Sequence, residues 1–187
     1  AFQRHLGESA YTLLLATSEY DIDREREQAE ALIMRGVDGM LLVGQTHAPE
    51  VWELLLEKNI PYVHTWVFDE SSDHPCVGFH NREAARRIAT YLLEIGHRDI
   101  GLIVPVTTHN DRATERVLGI KDALSAYDCE LPADRLLECR ISIPQARACQ
   151  RVLMSLEPRP TAIICCNDVL ALGAMMESRA LGIEIPG

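Results

Sequence analysis

From Thr161 to Cys166 the chain is a continuous apolar run, bounded by Pro160 on one side and Asn167-Asp168 on the other. Such a run suits a parallel strand buried on both faces. Beyond it the apolar residues Val169, Leu172, Met176 and Leu181 recur at helical spacing around small Gly173 and Ala174. Asn167 or Asp168 is placed to cap that helix, and Gly182 with Pro186 to end it. The same alternation of periods runs through the rest of the chain. Ala1–Ser9 reads as a helix, Tyr11–Ala16 as a buried strand, and Asp21 or Asp23 opens a charged helix ending at Gly36 with Ala29, Leu32 and Ile33 as its apolar face. Strand Asp38–Gly44, helix Pro49–Lys58 and strand Tyr62–Trp66 follow, a βαβαβ order that implies right-handed crossovers and a parallel sheet.

Asp69–Pro75 is polar and proline-terminated, a linker, and Cys76–Phe79 is a short strand after it. Asn81 then caps a helix whose apolar positions Ala85, Ile88, Ala89, Leu92 and Leu93 run to Gly96. Strand Asp99–Val104, helix Arg112–Tyr127, strand Arg135–Ile141 and helix Pro144–Leu156 lead back to the opening run. The expected fold is α/β, with two similar lobes, residues 1–79 and 80–187, and a cleft between their strand ends. Ligands of open α/β sheets bind at such carboxyl edges.

Composition narrows the chemistry. Lys plus Arg is 18 and Asp plus Glu is 28, a net charge of −10, so the chain should repel nucleic acid. No apolar run is long enough to span a membrane, and none opens the chain as a signal peptide. Cys76, Cys129, Cys139, Cys149, Cys165 and Cys166 form no CxxC pair and read as reduced thiols acting as small hydrophobes, which points to the cytoplasm. The seven histidines show no HxxxH or HExxH spacing, so no metal is expected. There is no GxxxxGK, GxGxxG or GxSxG, so neither a cofactor nor an enzymatic activity is expected. The acid pairs of Arg24–Glu30 read as a solvated helix face.

Five stretches in order carry a resemblance: LLLATSEYD, ALIMRGVDGMLLVG with NIPYV, VGFHNREAARRIATYLLEIGHRDIG, RATERVLGIKDAL, and CNDVLALGAMMESRALGIEIP. They resemble the effector-binding domain of lactose-repressor/galactose-repressor (LacI/GalR) regulators and cover nearly the whole chain. The resemblance implies a two-lobed, periplasmic-binding-protein-like fold, a small polar, sugar-like effector, a homodimer, and operator DNA contacted only through a separate N-terminal head. It also implies a first strand ahead of Ala1 and a third interlobe crossing beyond Gly187. A periplasmic sugar-binding protein of a transporter or receptor is the alternative on the same fold.

The resemblance also proposes ligand contacts. Asp168 matches the family's ligand-contacting aspartate, although as a residue it could equally be the helix cap. Arg116, two residues before the Leu118-Gly119 pair, matches an arginine that points into the cleft; its other reading is a surface partner of Asp111 or Asp122. Asp111 and Arg112 stand on the loop just before it. Gln45 follows a strand where the family places a smaller polar contact. Trp66 ends a strand where many relatives carry aspartate, and either stacks on a sugar ring or fills interlobe core; Phe68 is of the same kind. His80 and Val104 depart from a common aspartate and a common glycine.

Overall fold

The computed structural model describes residues 2–186. Helix α1 spans Phe2–Glu8 and α2 spans Ile22–Met34. The first sheet holds β1 (Met40–Val43), β2 (Tyr62–Thr65) and β3 (Cys76–Val77), with α3 (Pro49–Glu57) in the β1–β2 crossover. After α4 (Asn81–Glu94) comes the second sheet, β4 (Ile100–Pro105), β5 (Leu136–Cys139) and β6 (Ala162–Cys165), with α5 (Asp111–Ala126), α6 (Ile143–Met154) and α7 (Asp168–Ala180) as crossovers and flank. Both sheets are parallel, in orders β1-β2-β3 and β5-β4-β6.

Strand β4 shows why the sequence reads as it does. Every residue of it is buried, because helices cover both of its faces. Leu102 and Val104 point into a core with Ala85, Ala89, Leu93, Ile120 and Leu124 of α4 and α5. Ile103, between them, joins Ala146, Leu153 and Leu170 on the opposite side. The first sheet has its own core of Met40, Leu42, Val51 and Leu55, closed by Ala29 of α2.

Three expectations are corrected. Tyr11–Ala16 forms no strand: Tyr11, Leu14 and Leu15 are 54%, 45% and 85% exposed. A strand needs a neighbour's amides and carbonyls about 4.8 Å away. Instead a cavity of about 2580 Å³, lined by Leu13, Leu15, Met40 and Leu42 among others, separates this segment from the open edge of β1.

The second correction concerns which face α7 buries. The helical period is as expected, yet Leu172, Met176 and Leu181 are 50%, 44% and 45% exposed. The buried residues are Leu170, Gly173, Ala174, Glu177 and Ser178. Small residues let α6 and α7 approach closely: a Cβ at Gly173 would stand 2.6 Å from Ala146 Cβ and 2.8 Å from Ile143 O. Along the same seam Arg147 and Arg151 donate to Glu177, at 2.8 and 2.9 Å from their Nε atoms, and Gln150 donates to Ser178. Close packing, and the pairing of buried Glu177 with two partly exposed arginines, outweigh the burial of the larger apolar stripe.

Third, Asn81 is not a cap but the first residue of α4, and His80 before it makes no side-chain capping bond. The stretch where the chain passes from one sheet to the other thus leaves the Asn81 side chain free for longer-range bonds.

Candidate functional site

At the carboxyl end of β1 the chain turns at Gly44, whose φ of +95° belongs to the left-handed region. Two residues of α5 press against this turn. The Arg112 Nη1 donates to Val43 O at 2.8 Å and to Asp111 Oδ1 at 2.9 Å, while Asp111 Oδ2 accepts from the Gln45 amide at 2.8 Å. A Cβ on residue 44 would lie 1.8 Å from Arg112 Nη1 and 2.5 Å from Asp111 Oδ1, so only glycine permits this approach. Arg112 is buried, and its guanidinium carbon sits 5.9 Å from the Tyr20 ring centroid. Gln45, Asp111 and Arg112 thus form one clasp between the first and second sheets.

A second bridge lies beside it. Asn81 Nδ2 donates to Trp66 O at 2.8 Å, and Asn81 Oδ1 accepts from Arg116 Nε at 2.8 Å. Arg116 also donates to Cys166 O at the end of β6, and its guanidinium carbon lies 5.9 Å from the Phe79 ring centroid. The surface-pair reading of Arg116 is not realised, since Asp122 pairs with Arg82 and Asp111 with Arg112. Trp66, at φ +64°, is 59% exposed, so its ring is not interlobe core.

Asp168 follows two residues after the carbonyl that Arg116 holds. It is exposed, and the helix cap is Asn167, whose Oδ1 accepts from Leu170 N at 2.9 Å. Phe68 stands apart from both bridges, edge-on to His80 at 5.0 Å between centroids. Gln45, Trp66, Asp111, Arg112 and Arg116 are therefore drawn into two adjoining polar bridges, Asp168 borders them, and Phe68 does not join them.

Sequence reasoning missed four contributors: Gly44, Asn81, Tyr20 and His47. Gly44, at a strand end, carried a turn signal, and Asn81 was marked only as a helix cap; nothing in the local pattern marked Tyr20 or His47. His47 is 9% exposed, with Nδ1 at 2.7 Å from Glu25 Oε1 and Nε2 at 3.1 Å from Gly44 O. Burial alone would push the Glu25 carboxyl up, but the bonds from His47 and from the Ala48 amide outweigh it and hold the group below its ordinary value. Glu25 is therefore part of the fold, unlike its solvated neighbours on α2.

The six cysteines are all free. Burial pushes the Cys139 and Cys165 thiols up to about 12 and Cys166 to about 11, so they stay protonated and unreactive near neutral pH. Among the described residues no group of His, Cys, Asp and Glu is arranged to hold a metal ion, and no helix is long and apolar enough to cross a membrane.

Comparison with known proteins gives one consistent answer. The family model of periplasmic binding proteins and the sugar-binding domain of the LacI family matches residues 2–187. The PurR-type transcriptional repressor of Pasteurella multocida is 27% identical over 100% of this chain and 56% of its own length. That of Aliivibrio salmonicida is 32% identical over 98% of this chain and 55% of its own. The chain spans about half the length of the curated relatives it matches. The crystal structure of the transcription regulator GntR from Chromobacterium violaceum superposes with a TM-score of 0.89 at 30% identity, over 98% of this chain and 67% of that one.

Proposed function

Since this chain belongs to the family of periplasmic binding proteins and LacI-type sugar-binding domains, we propose that it is the effector-sensing part of a bacterial transcriptional regulator. Its lobes are residues 1–79 and 80–187, and a small polar, sugar-like ligand binds where they face each other. The observation that carries this reading is the pair of polar bridges, Gln45–Asp111–Arg112 and Trp66–Asn81–Arg116, at the facing carboxyl edges of two parallel sheets. Both arginine forks lie where ligand hydroxyls or a carboxylate could replace the present partners. Asp168 adds an exposed acceptor and Trp66 an exposed aromatic face beside them.

A ligand that bonds both lobes favours the interlobe angle in which all its partners are in reach, which is a shift of population between closed and open forms. In a cytoplasmic homodimer that shift would alter how DNA-binding heads on the full-length protein engage an operator. The resemblance to repressors favours this over a transport-linked binding protein, as do six unpaired thiols.

Calorimetric titration with a panel of pentoses, hexoses and disaccharides tests the site. Once a binder is found, Asp168→Ala should weaken it by about one to two decades, the worth of a hydrogen bond to a charged group. Melting should stay near the parent temperature, because Asp168 is exposed and, among the described residues, its side chain bonds only the adjacent Val169 amide. Arg116→Ala should weaken binding on the same scale and also lower the melting temperature, since Asn81 and Cys166 O lose their donor. Unchanged affinity in both variants would remove the ligand from this cleft.

A further inference from the structure

The histidines are scattered along the sequence, but three of them meet in space. His64 on β2 is 1% exposed, and among the described residues neither of its ring nitrogens has a hydrogen-bond partner. Its ring stands 5.5 Å from that of His47 and 5.4 Å from that of His74, the latter stacked at 19°. Trp52 of α3 closes the group, 5.3 Å from His64 and stacked on His74 at 5.0 Å. Tyr62 completes it, with its hydroxyl 2.5 Å from His74 Nδ1. The charged and titratable groups facing the cluster are Glu25 from α2, His47 from the β1–α3 loop, Tyr62 from β2, His74 from the polar loop before β3, and Asp111 from α5.

The cluster is joined to the interlobe clasp through one backbone segment. His47 Nε2 holds Gly44 O at 3.1 Å, and the residues on either side of Gly44 supply the Val43 carbonyl and the Gln45 amide that Arg112 and Asp111 engage. We propose that the His47–His64–His74 cluster positions the 43–47 turn and makes the clasp between the two sheets proton-linked, so that acid releases it. The proposal does not depend on which ligand, if any, occupies the cleft.

Its sign follows from burial. A neutral imidazole without partners costs far less in an aromatic cage than a protonated one, which there would lack water and face two further histidines. Burial, and then His47 and His74, push His64 down from 6.5 to about 4, while Asp111 pulls it slightly up. A group with its closed-state pKa depressed binds protons better once released into water. Closure is therefore fully supported above the ordinary histidine value and weakens as pH falls from there toward 4. Glu25 titrates below its ordinary value, so it remains a carboxylate over the upper part of that range.

The test is amide hydrogen exchange read residue by residue by NMR on the intact chain, corrected for intrinsic rates. The Gln45 amide reports the clasp, and Leu102 in the middle of β4 serves as reference. Between pH 7 and pH 5, linkage predicts that Gln45 protection drops by about twentyfold relative to Leu102. His64→Phe, which fills the cage without a titrating group, should abolish the drop. His47→Leu, which cuts the contact with Gly44 O through which the cluster reaches the clasp, should reduce it. Asp111→Ala should strip Gln45 of protection already at pH 7. A Gln45 amide that tracks Leu102 throughout would overturn the proposal, as would an undiminished drop in His64→Phe or full protection in Asp111→Ala. If His64→Phe fails to fold, the His64 ring resonances of the parent protein decide: a midpoint near the ordinary histidine value, in the closed form, overturns it.

Discussion

Gly44 concentrates two constraints in one residue. Its φ of +95° is costly for any side chain, and the space a Cβ would need is taken by the Arg112 guanidinium and the Asp111 carboxylate. Gly36, at φ +75°, has the first constraint without the second, with nothing within 4 Å of a built Cβ. Gly36→Ala should therefore cost about 1 kcal/mol of stability, and Gly44→Ala clearly more, about 2–4 kcal/mol, because the clasp must also come apart. Urea denaturation of the two variants measures the difference. Equal losses would mean that the contact of Arg112 with this turn contributes little. At the same scale, His64 is a buried polar group whose two nitrogens go unpaired, an arrangement that natural cores rarely keep without use.

Among the elements, the seam between α6 and α7 shows periodicity and packing giving different answers. Leu172, Met175 and Met176 would make the more apolar face, yet they are the exposed ones. Gly173 and Ala174 face α6 because two helices approach closely only where side chains are small, and Glu177 there satisfies Arg147 and Arg151. Gly173→Leu should thus be strongly destabilising, by about 3 kcal/mol or more, through overpacking against Ala146 and the Ile143 backbone. Leu172→Ser, one residue away, should stay within about 0.5 kcal/mol. Thermal melts of the two proteins separate the alternatives. Were Leu172→Ser the worse of the pair, the helix would be packed the other way round.

For the whole molecule, charge bears on one partner question. A net charge of −10 over 187 residues opposes the approach of phosphates, so the chain by itself should not bind duplex DNA selectively. A gel shift with competitor DNA checks this; a retained, sequence-selective band at physiological salt would contradict it. Two small sheets, each with its own core, meet through polar bridges rather than a common apolar interior. That construction suits a cleft that opens and closes, since a few hydrogen bonds exchange with ligand or water at little net cost, whereas a shared apolar core would not.

The order and type of most elements were legible in the sequence because their causes are local. Apolar runs of four to six residues became β1, β4 and β6, Pro49 opened α3, and Asp21 and Asn167 capped α2 and α7. Parallel topology then carried Gln45, Trp66, Asp111, Arg112 and Arg116 to facing strand ends, which is why these five candidates meet in two adjoining polar bridges. Tertiary structure alone decided the rest. Whether Tyr11–Ala16 pairs depends on a neighbouring strand, and which side of α7 is buried depends on α6. What Arg112 grips depends on a carbonyl 69 residues away. His64, His47 and Glu25 act together only because β2, a loop and α2 pack side by side. Periodicity and capping are properties of adjacent residues, whereas partners, burial and proton affinity are set by whatever distant segment the fold brings within a few ångströms.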